Sequence, residues 1–142
     1  MKQSVLLTGL IALVFASFFV RAQGRTSTRD GVYTDRQASR GEASYKKACA
    51  SCHGETLGGS APVMPPLAGS DFMMNWAGQT AADLFDKMQT SMPADHPGTL
   101  TRAENADILA YVLKYNKLPA GKTELPSDAD GLKKIRLEAA RD

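Results

Sequence analysis

Apolar side chains are concentrated near the start of the chain, in a largely apolar run of 16 residues from Val5 to Val20. The positive charge of Lys2 precedes this run, and the small residue Ala22 follows it. This order is typical of a secretory signal peptide, so we expect residues 1–22 to direct export to the periplasm and to be cleaved. An uncleaved membrane anchor is the alternative, although the run is shorter than the roughly 20 residues that span a bilayer.

After residue 22, two helix starts are marked by their capping residues. Thr80 and Thr101 each stand three residues before a carboxylate, which is the capping-box pattern of a helix N-terminus. The helix after Thr101 continues with apolar residues at helical spacing and is expected to stop between positions 116 and 119. These are the most clearly delimited elements of the chain.

One further helix is indicated before this pair and another after it. One is expected to begin near Ser39 and to run into Cys52, and a short one is expected to start at Ser127. No alternating run of useful length predicts a strand. The pattern therefore predicts an all-α fold.

Polar and turn-forming segments divide the chain into regions. Residues 23–37 contain few apolar side chains and are interpreted as a flexible arm. Residues 54–70 are rich in Gly and Pro and predict a long loop with neither helix nor strand. The folded domain is therefore expected over residues 38–121, with a tail over residues 122–142 that docks back on it.

Composition changes this picture, because the leader holds much of the apolar content. Apolar residues make up 43% of the 142 residues, yet Leu, Ile, Val and Phe total only 17 in the 120 residues after position 22. That share is low for a self-sufficient core, so we expect a bound group to complete it.

The charge balance also depends on the leader. The net charge of +2 comes from Lys2 and Arg21, and the remainder is balanced at 15 basic and 15 acidic residues. A nucleic-acid-binding domain would show a net basic surface, and polybasic docking to a membrane would need a cluster of basic residues. The composition argues against both classes of partner.

The only two cysteines and one of the two histidines form the sequence CASCH, at Cys49, Cys52 and His53. This is the attachment pattern of c-type haem. On one helical turn both thiols lie on the same face, where they can add to the two vinyl groups, and His53 can offer its imidazole to the iron. The motif predicts one covalently bound haem c with His53 as a metal ligand.

Two other uses of these residues stay open at this point. Cys49 and Cys52 could form a disulfide, although a redox motif of this spacing belongs in a βαβ context that the pattern does not indicate. A zinc site could combine the motif with His96, the other histidine. However, adjacent ligands at Cys52 and His53 suit tetrahedral geometry poorly.

Through this motif and its surroundings, the sequence resembles a class I c-type cytochrome over about residues 38–121. Gly41 and Tyr45 stand where that family packs its first helix against its last, and residues 108–111 match the contact face of the last helix. The motif lies near the start of the domain, as in this class, which favours electron transfer over gas binding. The resemblance implies the cytochrome c fold, with three to five helices around one haem and long loops between them.

The resemblance also implies a second iron ligand, Met92, which stands before the last helix. A thioether favours the reduced iron and raises its potential relative to two imidazoles. Met64 and His96 are the rival ligands. Three other methionines are expected to pack as apolar side chains around the pocket or in the core: Met73, Met74 and Met88.

Three more contacts with the haem are implied by the same resemblance. A ligating histidine donates its other N–H to an acceptor, and the sequence PPLAG places Pro65 where the family has this carbonyl. Leu67 would then pack on the haem, and Trp76 would donate its indole N–H to a propionate. An ordinary loop turn and a buried Trp with another partner are the alternatives.

Residues 92–121 resemble, more specifically, cytochrome c domains that work with quinoprotein (PQQ) dehydrogenases. This implies a periplasmic one-electron carrier between a dehydrogenase and a terminal oxidase, both separate proteins, with no enzymatic activity of its own. The alternatives are a haem subunit of a larger dehydrogenase or oxidase complex, and a haem sensor or peroxidase-like enzyme with a labile Met92. Apolar exposure suggests a docking patch formed by Ala61, Pro62, Val63 and Met64.

Overall fold

The computed structural model describes residues 26–60 and 63–141. The apolar run and its cleavage point lie outside these residues, and so do Ala61 and Pro62 of the expected docking patch. Within the described part of the chain, no helix is both long and apolar enough to cross a membrane.

Helices dominate the fold, which confirms the predicted all-α class. The only regular strands among the described residues are two strands of two residues each. In chain order the elements are β1 (Thr26–Ser27), a 3₁₀ turn (Thr28–Asp30), α1 (Asp35–Ala48), α2 (Ala50–His53), α3 (Gly69–Trp76), α4 (Ala81–Ser91), α5 (Arg102–Tyr115), α6 (Ala129–Lys133) and β2 (Ile135–Arg136). These six helices exceed the expected three to five, because α2 and α6 are short helices of four and five residues.

The capping residues of α4 and α5 act as their sequence predicts. The Thr80 hydroxyl accepts a hydrogen bond from the Asp83 N–H, and the Asp83 carboxylate accepts from the Thr80 N–H. Thr101 and Glu104 make the same reciprocal pair at the start of α5. Both capping boxes satisfy backbone donors that the first helical turn leaves unpaired.

Two helix starts differ from the expectation because other polar residues act as caps. Helix α1 begins at Asp35 rather than near Ser39, since the Thr34 side chain accepts from the Gln37 N–H. Helix α6 begins at Ala129, where Asp128 rather than Ser127 accepts a backbone N–H. The loop expected over residues 54–70 ends slightly earlier than predicted, because α3 begins at Gly69.

Helices α1 and α5 cross closely, and this crossing carries most of the contact between helices. A Cβ atom on Gly41 would lie 1.8 Å from the Asp107 carbonyl oxygen, so only a glycine allows the two backbones to approach this far. Beside it, the rings of Tyr45 and Tyr111 pack with centroids 5.3 Å apart. The small residue and the aromatic pair together hold α1, and the CASCH segment that follows it, against α5.

A flexible arm was expected over residues 23–37, but residues 26–34, the described part of it that precedes α1, are bound to the C-terminal part of the chain. Strand β1 pairs in parallel with β2, and Tyr33 is 1% exposed. The Tyr33 hydroxyl donates to the Leu118 carbonyl at 2.6 Å. The low local content of apolar residues was misleading, because this segment is held by the C-terminal part of the chain.

The tail over residues 122–142 packs against the domain through both backbone and side chains. Leu132, Ile135 and Leu137 are buried. The Gln37 amide donates to the Leu125 carbonyl at 3.0 Å and accepts from the Leu125 N–H at 2.7 Å, which ties the tail to α1. These contacts lie away from the CASCH segment.

Candidate haem site

A cavity of about 300 Å³ lies between the CASCH segment, the loop around residues 63–67, and helices α3, α4 and α5. Apolar side chains form most of its wall, including Phe72, Leu84, Ile108 and Val112. The structure brings all of the residues predicted from the sequence to this one cavity: Cys49, Cys52, His53, Pro65, Leu67, Trp76 and Met92.

The CASCH segment is a separate helical turn rather than the end of α1. Cys49 has a φ of −127°, which interrupts the helix, and α2 follows directly. The His53 N–H donates to the Cys49 carbonyl at 2.9 Å, and the Tyr45 hydroxyl donates to the Gly54 carbonyl at 2.7 Å. This turn presents both thiols and the imidazole to the cavity.

Both cysteines are free thiols in the structure, and their environments differ. Cys49 is half-buried and Cys52 is exposed. Burial, and secondarily the neighbouring Cys52, raise the pKa of the Cys49 thiol to about 11. The structure therefore does not contain the disulfide that was one alternative use of the pair.

The zinc alternative finds no support in the arrangement of the side chains. His96, its expected fourth ligand, has a largely exposed side chain and is not part of the cavity wall. Among the described residues, no group of three or more His, Cys, Asp or Glu side chains is placed to hold a metal ion.

His53 is oriented by the loop that faces it. The side chain is 6% exposed, and its Nδ1 atom lies 3.0 Å from the Pro65 carbonyl oxygen. Because a carbonyl can only accept, Nδ1 carries the hydrogen of this bond, which leaves the Nε2 lone pair free to bind a metal. The geometry gives His53 the tautomer that an iron ligand requires.

Three thioethers line the cavity, those of Met64, Met88 and Met92. Met92 caps the C-terminus of α4 in an extended conformation, and its N–H donates to the Met88 carbonyl at 3.0 Å. Met73 is partly buried against the core, whereas Met74 is 76% exposed. The expectation that Met74 packs around the pocket was wrong, because its position on α3 faces away from the core.

Several polar residues of the wall were not identified from the sequence: Ser51, Asn75, Lys87, Asp95 and Asn105. Asn105 is 1% exposed and donates to the Gln89 side-chain oxygen at 3.2 Å, while the Gln89 amide donates to the Leu100 carbonyl at 3.1 Å. Lys87 brings a positive charge to the same cavity. Asn105 stands one turn before Ile108 on the apolar face of α5. A polar residue at a position where the helical pattern calls for an apolar one was the signal that could have identified Asn105 from the sequence.

The residues present fit a c-type haem. The cavity is apolar, as a porphyrin requires, and two thiols, a correctly oriented imidazole and thioethers converge on it. A family model described as cytochrome c oxidase, cbb3-type, subunit III matches residues 36–112, just over half of the chain. The chain belongs to this family. Its match includes α1, the CASCH segment, the loop, Met92 and most of α5.

Membership of the cbb3-type family confirms the class I c-type cytochrome expected from the sequence, and with it the cytochrome c fold. A cytochrome c domain carries haem c and transfers electrons. No curated protein matches the chain, and no solved structure matches it.

Proposed function

We propose that this chain is an exported monohaem electron carrier, with haem c linked to Cys49 and Cys52 and with His53 and Met92 as axial ligands. The observation that carries the proposal is the convergence of these four side chains on one apolar cavity. When bound, the haem supplies a one-electron cycle between ferrous and ferric iron. The chain's own residues hold it, orient the imidazole and exclude water from it.

The position of Pro65 supports Met92 over Met64 as the second axial ligand. The Pro65 carbonyl accepts from His53, so this part of the loop lies on the His53 side of the cavity. Met64 directly precedes Pro65 and belongs to this same part of the loop, whereas a second iron ligand would have to come from another part of the cavity wall than His53. Met92 reaches the cavity from the end of α4, on a different segment of the chain.

We propose further that the protein is not an enzyme. With His53 and Met92 both bound, the iron has no open position for a substrate. The sensor or peroxidase-like alternative would require Met92 to leave the iron.

The absorption spectrum of the oxidised protein tests the ligand assignment. We expect covalently bound haem and the weak long-wavelength band of a Met–Fe(III) bond. Met92→Ala should abolish this band, while Met64→Ala and Met88→Ala, matched controls that line the same cavity, should retain it. Persistence of the band in Met92→Ala, or its loss only in Met64→Ala, would contradict the assignment.

We propose a quinoprotein dehydrogenase as electron donor and a terminal oxidase as acceptor, both as separate chains. The description of the matching family as an oxidase subunit favours a second candidate, a haem subunit held within an oxidase complex. Gel filtration of the native protein distinguishes them. A carrier should elute at the mass of a single haem-loaded chain and should be reduced rapidly by a purified quinoprotein dehydrogenase, whereas a subunit should elute with the oxidase.

Periplasmic location with cleavage after Ala22 is part of the same proposal. N-terminal sequencing of the haem-loaded protein from a periplasmic extract should begin at Gln23. An intact N-terminus in the membrane fraction would indicate the anchored alternative.

A further inference from the structure

Asn116 joins the end of α5 to the loop that faces His53. Its Nδ2 group donates to the Leu67 carbonyl at 2.9 Å and to the Val112 carbonyl at 2.8 Å. Its Oδ1 atom accepts from the Gly69 N–H at 2.9 Å. The half-buried amide thus binds the backbone on both sides of Ala68, and it lies beyond the part of the chain that the family model matches.

The segment that Asn116 holds, from Leu67 to Gly69, is connected rigidly to the Pro65 carbonyl, which accepts the hydrogen bond of His53. The Leu67 N–H also donates to the Leu57 carbonyl at 2.8 Å, so Leu67 is bound from two directions. Only Pro66, whose ring restricts φ, stands between Leu67 and the Pro65 carbonyl. A displacement of Leu67 is therefore transmitted to the Pro65 carbonyl rather than absorbed by the backbone.

We propose that Asn116 is a positioning residue for His53. By holding Leu67 and Gly69, it keeps the Pro65 carbonyl 3.0 Å from His53 Nδ1. This hydrogen bond raises the electron-donating strength of the imidazole, as the outer partners of metal-bound histidines do. The inference rests on the proposed function, in which His53 binds the haem iron.

The sign of the effect follows from the hydrogen bond. A stronger Nδ1–H bond makes the imidazole a stronger donor and favours ferric iron, which lowers the reduction potential. Removing Asn116 should loosen the Pro65 carbonyl and weaken that bond. The midpoint potential should then rise, and the His53 ring N–H should exchange faster with solvent.

The structure offers a matched control in Gln37. Its amide also hydrogen-bonds to a backbone N–H and a backbone carbonyl, both of Leu125. It therefore holds the C-terminal tail rather than the loop that faces His53. Gln37→Leu and Asn116→Leu each replace such an amide with an apolar side chain of similar size that cannot form hydrogen bonds. A loss of stability should appear in both variants, whereas a change in the His53 hydrogen bond should appear only in Asn116→Leu.

The experiment compares haem-loaded wild type, Asn116→Leu and Gln37→Leu by redox titration and by NMR exchange of the His53 Nδ1 proton in the ferrous state. Loss of a hydrogen bond of ordinary strength corresponds to about tenfold faster exchange. We expect this increase and a higher midpoint potential in Asn116→Leu, with wild-type values in Gln37→Leu despite a lower melting temperature. If Asn116→Leu does not mature, Asn116→Ser, which offers one hydroxyl in place of the amide, should show a smaller change of the same sign.

The outcomes separate this inference from the proposal on which it rests. Absence of covalent haem or of His53 ligation in the wild type would overturn the proposed function. A wild type with His53 bound to iron, together with unchanged exchange and potential in the Asn116 variant that matures, would overturn the positioning role alone. Equal changes in Gln37→Leu would also overturn it.

Discussion

Two buried tyrosines use their hydroxyls to join segments of backbone. Tyr45 donates to the Gly54 carbonyl directly after the CASCH segment, and Tyr33 donates to the Leu118 carbonyl beyond α5. The pKa of Tyr33 is raised to about 12, mainly by burial of the phenol and secondarily by the negative charge of Asp35. The neutral phenol is therefore the form that the folded protein stabilises.

Tyr33 should make the protein less stable at alkaline pH. An unfolded tyrosine has a pKa of about 10, so between pH 10 and 12 the unfolded state has lost a proton that the folded state retains. The stabilisation is complete below pH 10 and decreases as the pH rises to 12. We expect Tyr33→Phe to flatten this decline, at a cost of about 1 kcal/mol at neutral pH for the lost hydrogen bond.

Denaturant unfolding, followed by far-UV circular dichroism at several pH values, measures this effect. Tyr115→Phe is the control, since that ring is 40% exposed, and it should retain the wild-type pH dependence. An undiminished alkaline decline in Tyr33→Phe would show that other groups cause it.

At the scale of elements, the crossing of α1 and α5 determines where the CASCH segment lies. Gly41 allows the Asp107 carbonyl to approach, and the Tyr45–Tyr111 pair fills the space beside it. On the exposed side, Arg40 makes paired hydrogen bonds to Asp107 at 2.8 and 2.9 Å. The apolar and close-packed part of this crossing positions the CASCH segment, while the exposed ion pair adds at most about 1 kcal/mol.

Gly41→Ala should destabilise the protein, although helix propensity alone predicts the reverse. Replacing an interior helical glycine by alanine favours a helix by about 1 kcal/mol. Here the new Cβ atom would lie 1.8 Å from the Asp107 carbonyl oxygen, so the helices must separate. We expect a net loss of about 2 kcal/mol or more in the free energy of unfolding.

Unfolding of the haem-loaded protein in guanidinium chloride provides the measurement. The matched variant is Ala43→Gly, at an exposed position of the same helix, which should cost about 1 kcal/mol from propensity alone. A Gly41→Ala protein as stable as the wild type would be inconsistent with the close crossing.

At the scale of the whole molecule, the low content of Leu, Ile, Val and Phe agrees with the presence of the cavity, because the chain has too few large apolar side chains to fill its own core. The buried core uses Ala and Tyr beside Leu, Ile, Val and Phe, and it surrounds a space of about 300 Å³. Without a haem, the apolar wall of this space would be in contact with water, and each Å² of apolar surface left exposed forfeits about 25 cal/mol. The total stability of a small domain is only about 5–15 kcal/mol, so the chain has little stability with which to offset this loss.

The protein without haem should therefore be largely unfolded. We expect the double variant Cys49→Ala with Cys52→Ala to melt without cooperativity in far-UV circular dichroism, and wild-type chain produced without haem should behave in the same way. The second sample separates the loss of haem from the effect of the substitutions. A cooperative, native-like transition in either sample would mean that the chain folds on its own residues.

Local signals in the sequence were sufficient for the CASCH pattern and for the capping boxes at Thr80 and Thr101. Each depends on residues a few positions apart, so short-range geometry determines it. The close crossing at Gly41 was expected from the resemblance to the family, because the Asp107 carbonyl that requires a glycine there lies far along the chain. The early start of α1 was missed because Thr34 caps a turn of polar residues that carries no apolar periodicity.

Only the tertiary structure decided how the two ends of the domain meet and how the loop before α3 is held. The Ser27 hydroxyl donates to the Glu138 carboxylate across 111 positions, and Asn116 reaches Leu67 across 49. Polar contacts of this range leave no periodic pattern, because each residue alone resembles an ordinary surface residue. The sequence by itself determined which chemical groups the protein offers to a haem; the packing of α1 on α5 and the long-range hydrogen bonds decided how those groups are oriented.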